Sequence, residues 1–293
     1  MPAVILSIAA LPNLGKAAYA EEVTALTGGQ FTYRVVAGDY LEKIGARFGV
    51  AASMIAEDNE LENPDLIRPG EELRIYNLHV VPKAAGDGIV INIPQRMLFF
   101  FQNGHLVESF PVGLGKPDWP TVRGSFKIAV MERNHPWVVP KSIQEEMARE
   151  GQIVRTRVPP GPDNPLGEFW IGLNAPGYGI HSTIAPASVY HFQSHGCIRL
   201  HPDDAARLFA DIHKGLAVNL VYSPVLMAGD GERVFAEVDA DVYDLQPNPL
   251  SALHRLAEEN KMADKIDWHQ AEELVRRHEG VAREVTLVHE DKQ

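Results

Sequence analysis

Residues 180–183 read Ile180-His181-Ser182-Thr183, and residues 194–200 read Ser194-His195-Gly196-Cys197-Ile198-Arg199-Leu200. Gly179 to Ser182 predicts a strand, which places His181 at a strand end, where a base is held rigidly. Cys197 is the single cysteine of the chain, so no intrachain disulfide forms. It follows a glycine and is expected at the start of a helix. Gly196 removes a side chain beside the sulfur, which lets a substrate backbone approach. A free thiol has a pKa of about 8.5, so little thiolate exists at neutral pH unless a nearby imidazole takes the proton. A thiolate attacking a carbonyl carbon creates an oxyanion, and the N–H groups of Gly196 and Cys197 are the expected donors to it. The second nitrogen of the imidazole then needs a carboxylate or a backbone carbonyl to hold it.

Working outward, Gly88 to about Tyr222 reads as strand-rich. Ile89–Ile93 and Arg96–Phe101 are apolar runs, Gln102-Asn103-Gly104 is a hairpin turn, and Leu106–Val112 is the returning strand. Gly124–Val130 and Glu168–Leu173 predict further strands, and Lys141–Glu150 a helix. Residues 158–167 carry too many prolines and glycines for regular structure, so they form a stiff loop that positions something. Pro202-Asp203-Asp204 opens a helix with Leu208, Phe209 and Ile212 on its inner face. Val218–Tyr222 closes the region.

Two flanking units differ from it. Phe31–Tyr76 reads strand, helix, helix, strand: Asp39 is placed to cap a helix carrying Leu41, Ile44 and Phe48, Gly49 ends it, and Glu72–Tyr76 is the last strand. Asn77–Gly88 reads as a linker, which predicts that the unit before it is removable without loss of the chemistry beyond it. After Ser223 come a hairpin around Gly229-Asp230-Gly231 and helices over 250–260 and 267–278, the latter with an apolar stripe of Trp268, Ala271, Leu274 and Val275. This extension is expected to pack on the main domain without contributing chemistry. At the other end, the short apolar run Ala3–Leu11 and the small residues around Ala18-Tyr19-Ala20 read as an export signal over residues 1–20, although no Lys or Arg precedes the run.

The net charge of −12 and pI near 5.4 repel phosphate backbones, which disfavours nucleic acid as a partner. No stretch has the length and apolarity of a membrane span, so no stable membrane insertion is expected. His191 and His201 read as surface or structural, and neither metal nor cofactor is expected. Asp203 and Asp204 are explained by the start of a helix rather than as a catalytic pair.

The paired strings "IHST" and "SHGCIRL" resemble the active-site signature of the L,D-transpeptidase (YkuD-type) family. "DGIVIN", "MLFFF", "PVGLGKP", "HPWVVP" and "VPPGPDNPLG" are similar to its periplasmic, LysM-carrying members. "YRVVAGDYLEKIGARFGV", "NELENP" and "IRPGEELRI" resemble a LysM module, with Tyr40 where that family usually has Thr or Ser. The resemblance implies a mixed α+β, β-rich fold: a LysM-like βααβ module over 31–76, a β-sandwich-like catalytic domain over 88–222 and a partly helical extension over 223–293. It implies Cys197 as nucleophile, His181 as general base oriented by the Ser182 carbonyl, and His195 shaping the oxyanion site with Gly196. Ser194 and Arg199 are implied on the substrate side. The implied partners are peptidoglycan stem peptides and glycan strands, and an envelope lipoprotein as one possible acyl acceptor, in the periplasm. Cross-linking, protein anchoring and hydrolysis share the first half-reaction and differ in the acceptor. A non-catalytic wall-binding protein and a cytoplasmic thiol hydrolase are the rival readings, opposed by the His181–Cys197 pair and by the export signal respectively.

Overall fold

The computed structural model describes residues 26–288 except 85 and 247, so the export signal expected over 1–20 lies outside the described residues. The N-terminal unit pairs β1 (Gln30–Arg34) with β2 (Glu72–Tyr76) around α1 (Leu41–Phe48) and α2 (Ala52–Asp58). Leu41 and Ile44 are buried as their helical spacing requires. Asp39 does not cap α1. Its carboxylate accepts instead from the Val36 N–H at 2.9 Å and the Tyr33 hydroxyl at 2.7 Å, closing the turn before the helix.

The apolar runs become strands of one sheet: β3 (Gly88–Asn92), β4 (Met97–Gln102), β5 (His105–Gly115), β6 (Gly124–Arg133), β7 (Phe169–Leu173), β8 (Gly179–His181), β9 (Phe192–Ser194), β10 (Ile198–Leu200) and β11 (Ala217–Val221). Asn103 and Gly104 adopt φ of +54° and +76°, the left-handed pair that a two-residue hairpin between β4 and β5 demands. The order is β9-β5-β10-β8-β7-β6-β11-β3-β4, and β4 pairs again with β5. The two layers expected of a sandwich are therefore the two sides of a sheet that closes on itself like a barrel, which leaves few free edges. Ile89, Ile91, Phe110, Ile171, Ile180, Ile198 and Leu200 fill its interior. β4 is apolar along its length because both faces are covered. Leu98 and Phe100 point into this core, while Met97, Phe99 and Phe101 pack outside it with Val81 and Tyr190.

Two helices attach to the barrel, α3 (Lys141–Arg149) and α4 (Pro202–Asp211). The C-terminal extension builds its own core between a hairpin, β12 (Val225–Asp230) and β13 (Arg233–Val238), the helices α5 (Pro249–Glu259) and α6 (Trp268–Arg277), and β14 (Ala282–Glu284).

The linker expected after Tyr76 is not a loose tether. His79 and Val80 are buried and pair as a short strand with Leu26–Thr27. One His79 ring nitrogen lies 2.7 Å from the Glu237 carboxylate and the other 2.8 Å from the Gly49 carbonyl, tying the extension to the end of α1. Val281 is buried in the core of the N-terminal unit, and Arg47 donates at 2.8 Å to Asp204, a buried carboxylate in the first turn of α4. Helix α1 also packs on the single turn Pro186–Ser188, within the loop that joins β8 to β9. Deleting Gly28–Tyr76 removes partners from buried polar groups, each worth about 1–3 kcal/mol, and exposes Val281. We expect that deletion to lower the melting temperature by about 10 °C or more and to slow acylation of Cys197 by a small donor. Unchanged melting and acylation would return the unit to the role of a detachable module.

Candidate active site

β8 and β10 run parallel and adjacent, with Ile180 opposite Ile198 and His181 opposite Arg199. Side chains alternate across a strand, so Ile180 and Ile198 enter the barrel core while His181 and Arg199 share the other face. Cys197 lies two positions before Arg199 and so falls on that same face, diagonal to His181. The thiol is followed by a strand and not by the helix the sequence led us to expect; α4 begins five residues later, at Pro202. The helix dipole therefore does nothing for the sulfur, and activation falls to the neighbouring side chains.

Cys197, His181, Arg199, Ser194 and His195 line one cavity of about 470 Å³, walled by Trp137, Trp170 and Tyr178 and roofed by α3. His181 Nδ1 lies 2.5 Å from the Ser182 carbonyl oxygen, so the ring donates there and leaves Nε2 as its basic nitrogen. Trp170 is the cross-strand partner of His181 and stacks on it at 6.0 Å. Burial pushes the His181 imidazole down to about 4, against the opposing effect of the hydrogen bond it donates to the Ser182 carbonyl. Burial pushes the half-buried Cys197 thiol up, while the Gly179 N–H and the Arg199 charge pull it down. At neutral pH the proton sits on sulfur beside a neutral imidazole, which is the state in which a general base is competent. Arg199 has no acidic partner among the described residues, and burial pulls its guanidinium down. A desolvated cation of this kind is a receptor for a carboxylate.

The loop that carries the thiol is pinned from several sides. Ser194 Oγ donates to the Cys197 carbonyl at 2.6 Å and accepts the Gly196 N–H at 3.1 Å. The Gly196 N–H expected at the oxyanion is thus engaged, whereas the Cys197 N–H makes no hydrogen bond among the described residues. Gly196 has φ of +102°, and a Cβ there would sit 3.4 Å from the Tyr178 ring, so the turn itself requires glycine. Thr121 Oγ1 donates to the Gly196 carbonyl at 2.9 Å, and Tyr243 of the extension donates to the Gly115 carbonyl at 2.6 Å and accepts the Thr121 N–H. His195 turns its Nε2 to the Glu146 carboxylate, at 2.5 Å, and packs edge-on against Trp119.

The site thus gathers Cys197, His181, Ser182, Ser194, His195, Gly196 and Arg199, and leaves His191 and His201 off the cavity wall. Sequence reasoning missed Glu146, Thr121, Trp170 and Tyr243. Trp170 was legible in principle, since it alternates with the core residues Phe169 and Ile171. Tyr243 has no local signal, because it meets Gly115 and Thr121 from a distant part of the chain.

Residues 86–223 match the L,D-transpeptidase catalytic domain (YkuD), and residues 33–75 match the LysM domain. "Probable L,D-transpeptidase ErfK/SrfK" of Salmonella typhimurium is 32% identical over 197 residues, 66% of this chain and 63% of that one. The Escherichia coli K12 protein of the same name is 31% identical over 208 residues, 70% of this chain and 67% of that one. YqjB of Bacillus subtilis is 33% identical over 169 residues, 56% of this chain and 83% of that one. The chain spans a little under two thirds of the Salmonella relative. On these matches and on the motif they contain, the chain belongs to the L,D-transpeptidase (YkuD-type) family and carries a LysM domain.

Proposed function

We propose that the protein transfers an acyl group from a peptidoglycan stem peptide to an amine through a thioester on Cys197. The observation that carries this is the placement of Cys197, His181 and Arg199 on one face of two parallel strands in one cavity. Arg199 holds a carboxylate of the donor. The Cys197 sulfur attacks the carbonyl carbon on the L-centre side of the bond to the terminal D-alanine, and His181 Nε2 takes the thiol proton. The Cys197 N–H steadies the oxyanion. As the tetrahedral intermediate collapses, His181 returns the proton to the leaving amine and D-alanine departs. An acceptor amine then attacks the thioester and gives up its proton to His181, which restores the thiol. A second stem peptide yields a cross-link, and a lysine of an envelope lipoprotein yields an anchored protein. The LysM domain holds the glycan strand, in the periplasm. No helix among the described residues is long and apolar enough to cross a membrane.

The test is intact-mass and peptide mapping after incubation with tetrapeptide muropeptides and, separately, with a carbapenem. One adduct on the Cys197 peptide is expected from each, and the muropeptide product identifies the acceptor. Because a neutral His181 takes the proton from a protonated thiol, carbapenem acylation should be nearly flat from about pH 6 up to the titration of the thiol, which burial holds up. Protonation of His181 should limit the rate only near pH 4. A rate that instead climbs about tenfold per pH unit from pH 6 to 9 would mean that free thiolate attacks without help from His181. Labelling at another residue, or none on folded protein, would remove Cys197 from the chemistry.

A further inference from the structure

Helix α3 lines the same cavity as Cys197 with Ile143, Glu146 and Met147, the spacing of one helical face, and its C-cap Glu150 continues that face. The segment that carries α3 is set apart from the barrel. Its flanks, Trp137–Val138 and Arg157–Val158, pair with each other and not with the main sheet. Val139, Ile143 and Val158 form a small core with Trp119, Trp137 and Met147. Among the described residues, Glu146 makes the polar contact between α3 and the thiol loop. One carboxylate oxygen lies 2.5 Å from His195 Nε2, and the other accepts from Lys116 Nζ at 2.9 Å, with the side chain 17% exposed.

His195 is the residue before Gly196, and the Cys197 N–H follows directly. A carboxylate on Nε2 fixes both the ring orientation and the nitrogen that carries the proton. Trp119 closes on the ring edge at 4.6 Å, so the imidazole is gripped by a charge on one side and an indole on the other. The Lys116 N–H donates to the Ser194 carbonyl at 3.0 Å, so the same carboxylate also steadies the strand end beneath the loop. We propose that Glu146 is a positioning residue: acting through His195, it holds the thiol loop so that the Cys197 N–H points at the oxyanion. This rests on the reading of Cys197 as the acyl carrier.

A double-mutant cycle tests it. Alanine suits a helix interior, so Glu146→Ala leaves α3 formed. Turnover of a tetrapeptide donor is measured for wild type, Glu146→Ala, His195→Ala and the double variant, alongside melting curves. Loss of loop positioning weakens the transition state more than the ground state. Glu146→Ala should therefore lower kcat about ten- to a hundredfold with KM changed less than about threefold. In the His195→Ala background the same substitution should cost no more than about twofold, because the route runs through His195. Losses that multiply in the double variant, or a Glu146→Ala rate within about twofold of wild type, would overturn the proposal. Failure of the acyl-carrier reading is read separately: wild-type protein would then form no adduct on Cys197 at all.

Discussion

Cys197→Ala is expected to abolish acyl transfer while leaving the protein folded. The sulfur is the atom that would carry the acyl group, and no other cysteine can replace it. Loss of a covalent nucleophile costs at least about ten-thousand-fold where the remaining groups act only in concert with it. The structural cost is small. The thiol is half-buried, and its polar contacts are weak, with the sulfur 3.6 Å from the Gly177 carbonyl and near the Gly179 N–H. A methyl group fills most of its volume, so the melting temperature should move by about 3 °C or less. Turnover of tetrapeptide muropeptides and thermal melting, measured on the same preparation, separate the two effects. Turnover at the wild-type rate would sink the assignment of Cys197, whatever the melting curve showed.

His181→Ala should lower the rate by about a hundred- to ten-thousand-fold, the usual contribution of a positioned base. His191→Ala should change it by less than about threefold. The contrast is geometric. His181 lines the cavity, is aimed by the Ser182 carbonyl at 2.5 Å, and is kept neutral because burial pushes its imidazole down to about 4. Burial also lowers His191, but it lies off the cavity wall, with its backbone carbonyl accepting the Leu114 N–H at 2.9 Å. The loss in His181→Ala should appear in the acylation step and should shrink at high pH, where the thiol ionises without help. Comparable losses in both variants, or a His181→Ala deficit that persists above the titration of the thiol, would identify a different base.

How much of this was legible in the chain differs from element to element. The period of the apolar residues placed α1, α4 and α6 close to where they lie, and Asn103-Gly104 placed its hairpin, because helical spacing and left-handed turn geometry are imposed by a few neighbouring residues. The motif strings singled out Cys197, His181 and Arg199 through their resemblance to the family signature, and the fold brings all three to one cavity. Asp39 shows the limit even of a local rule. Its carboxylate was free to cap α1 or to close the preceding turn, and the Tyr33 hydroxyl decided for the turn.

By itself, then, the sequence determined the residue types at the site, the alternation that turns Ile180 inward and His181 outward, and the turns and helices between them. The tertiary structure decided the rest. Parallel pairing of β8 with β10 brings His181 diagonal to Cys197, and β4 joins β5 to close the sheet. The Gly196 N–H goes to Ser194, Glu146 reaches His195 from a separate segment, and Val281 and His79 fix the N-terminal unit against two other parts of the chain. Each of these contacts joins residues whose meeting is set by how the whole core packs. A strand carries its period in its own sequence but not the identity of the strand beside it. A buried donor takes whichever acceptor the completed packing leaves within reach.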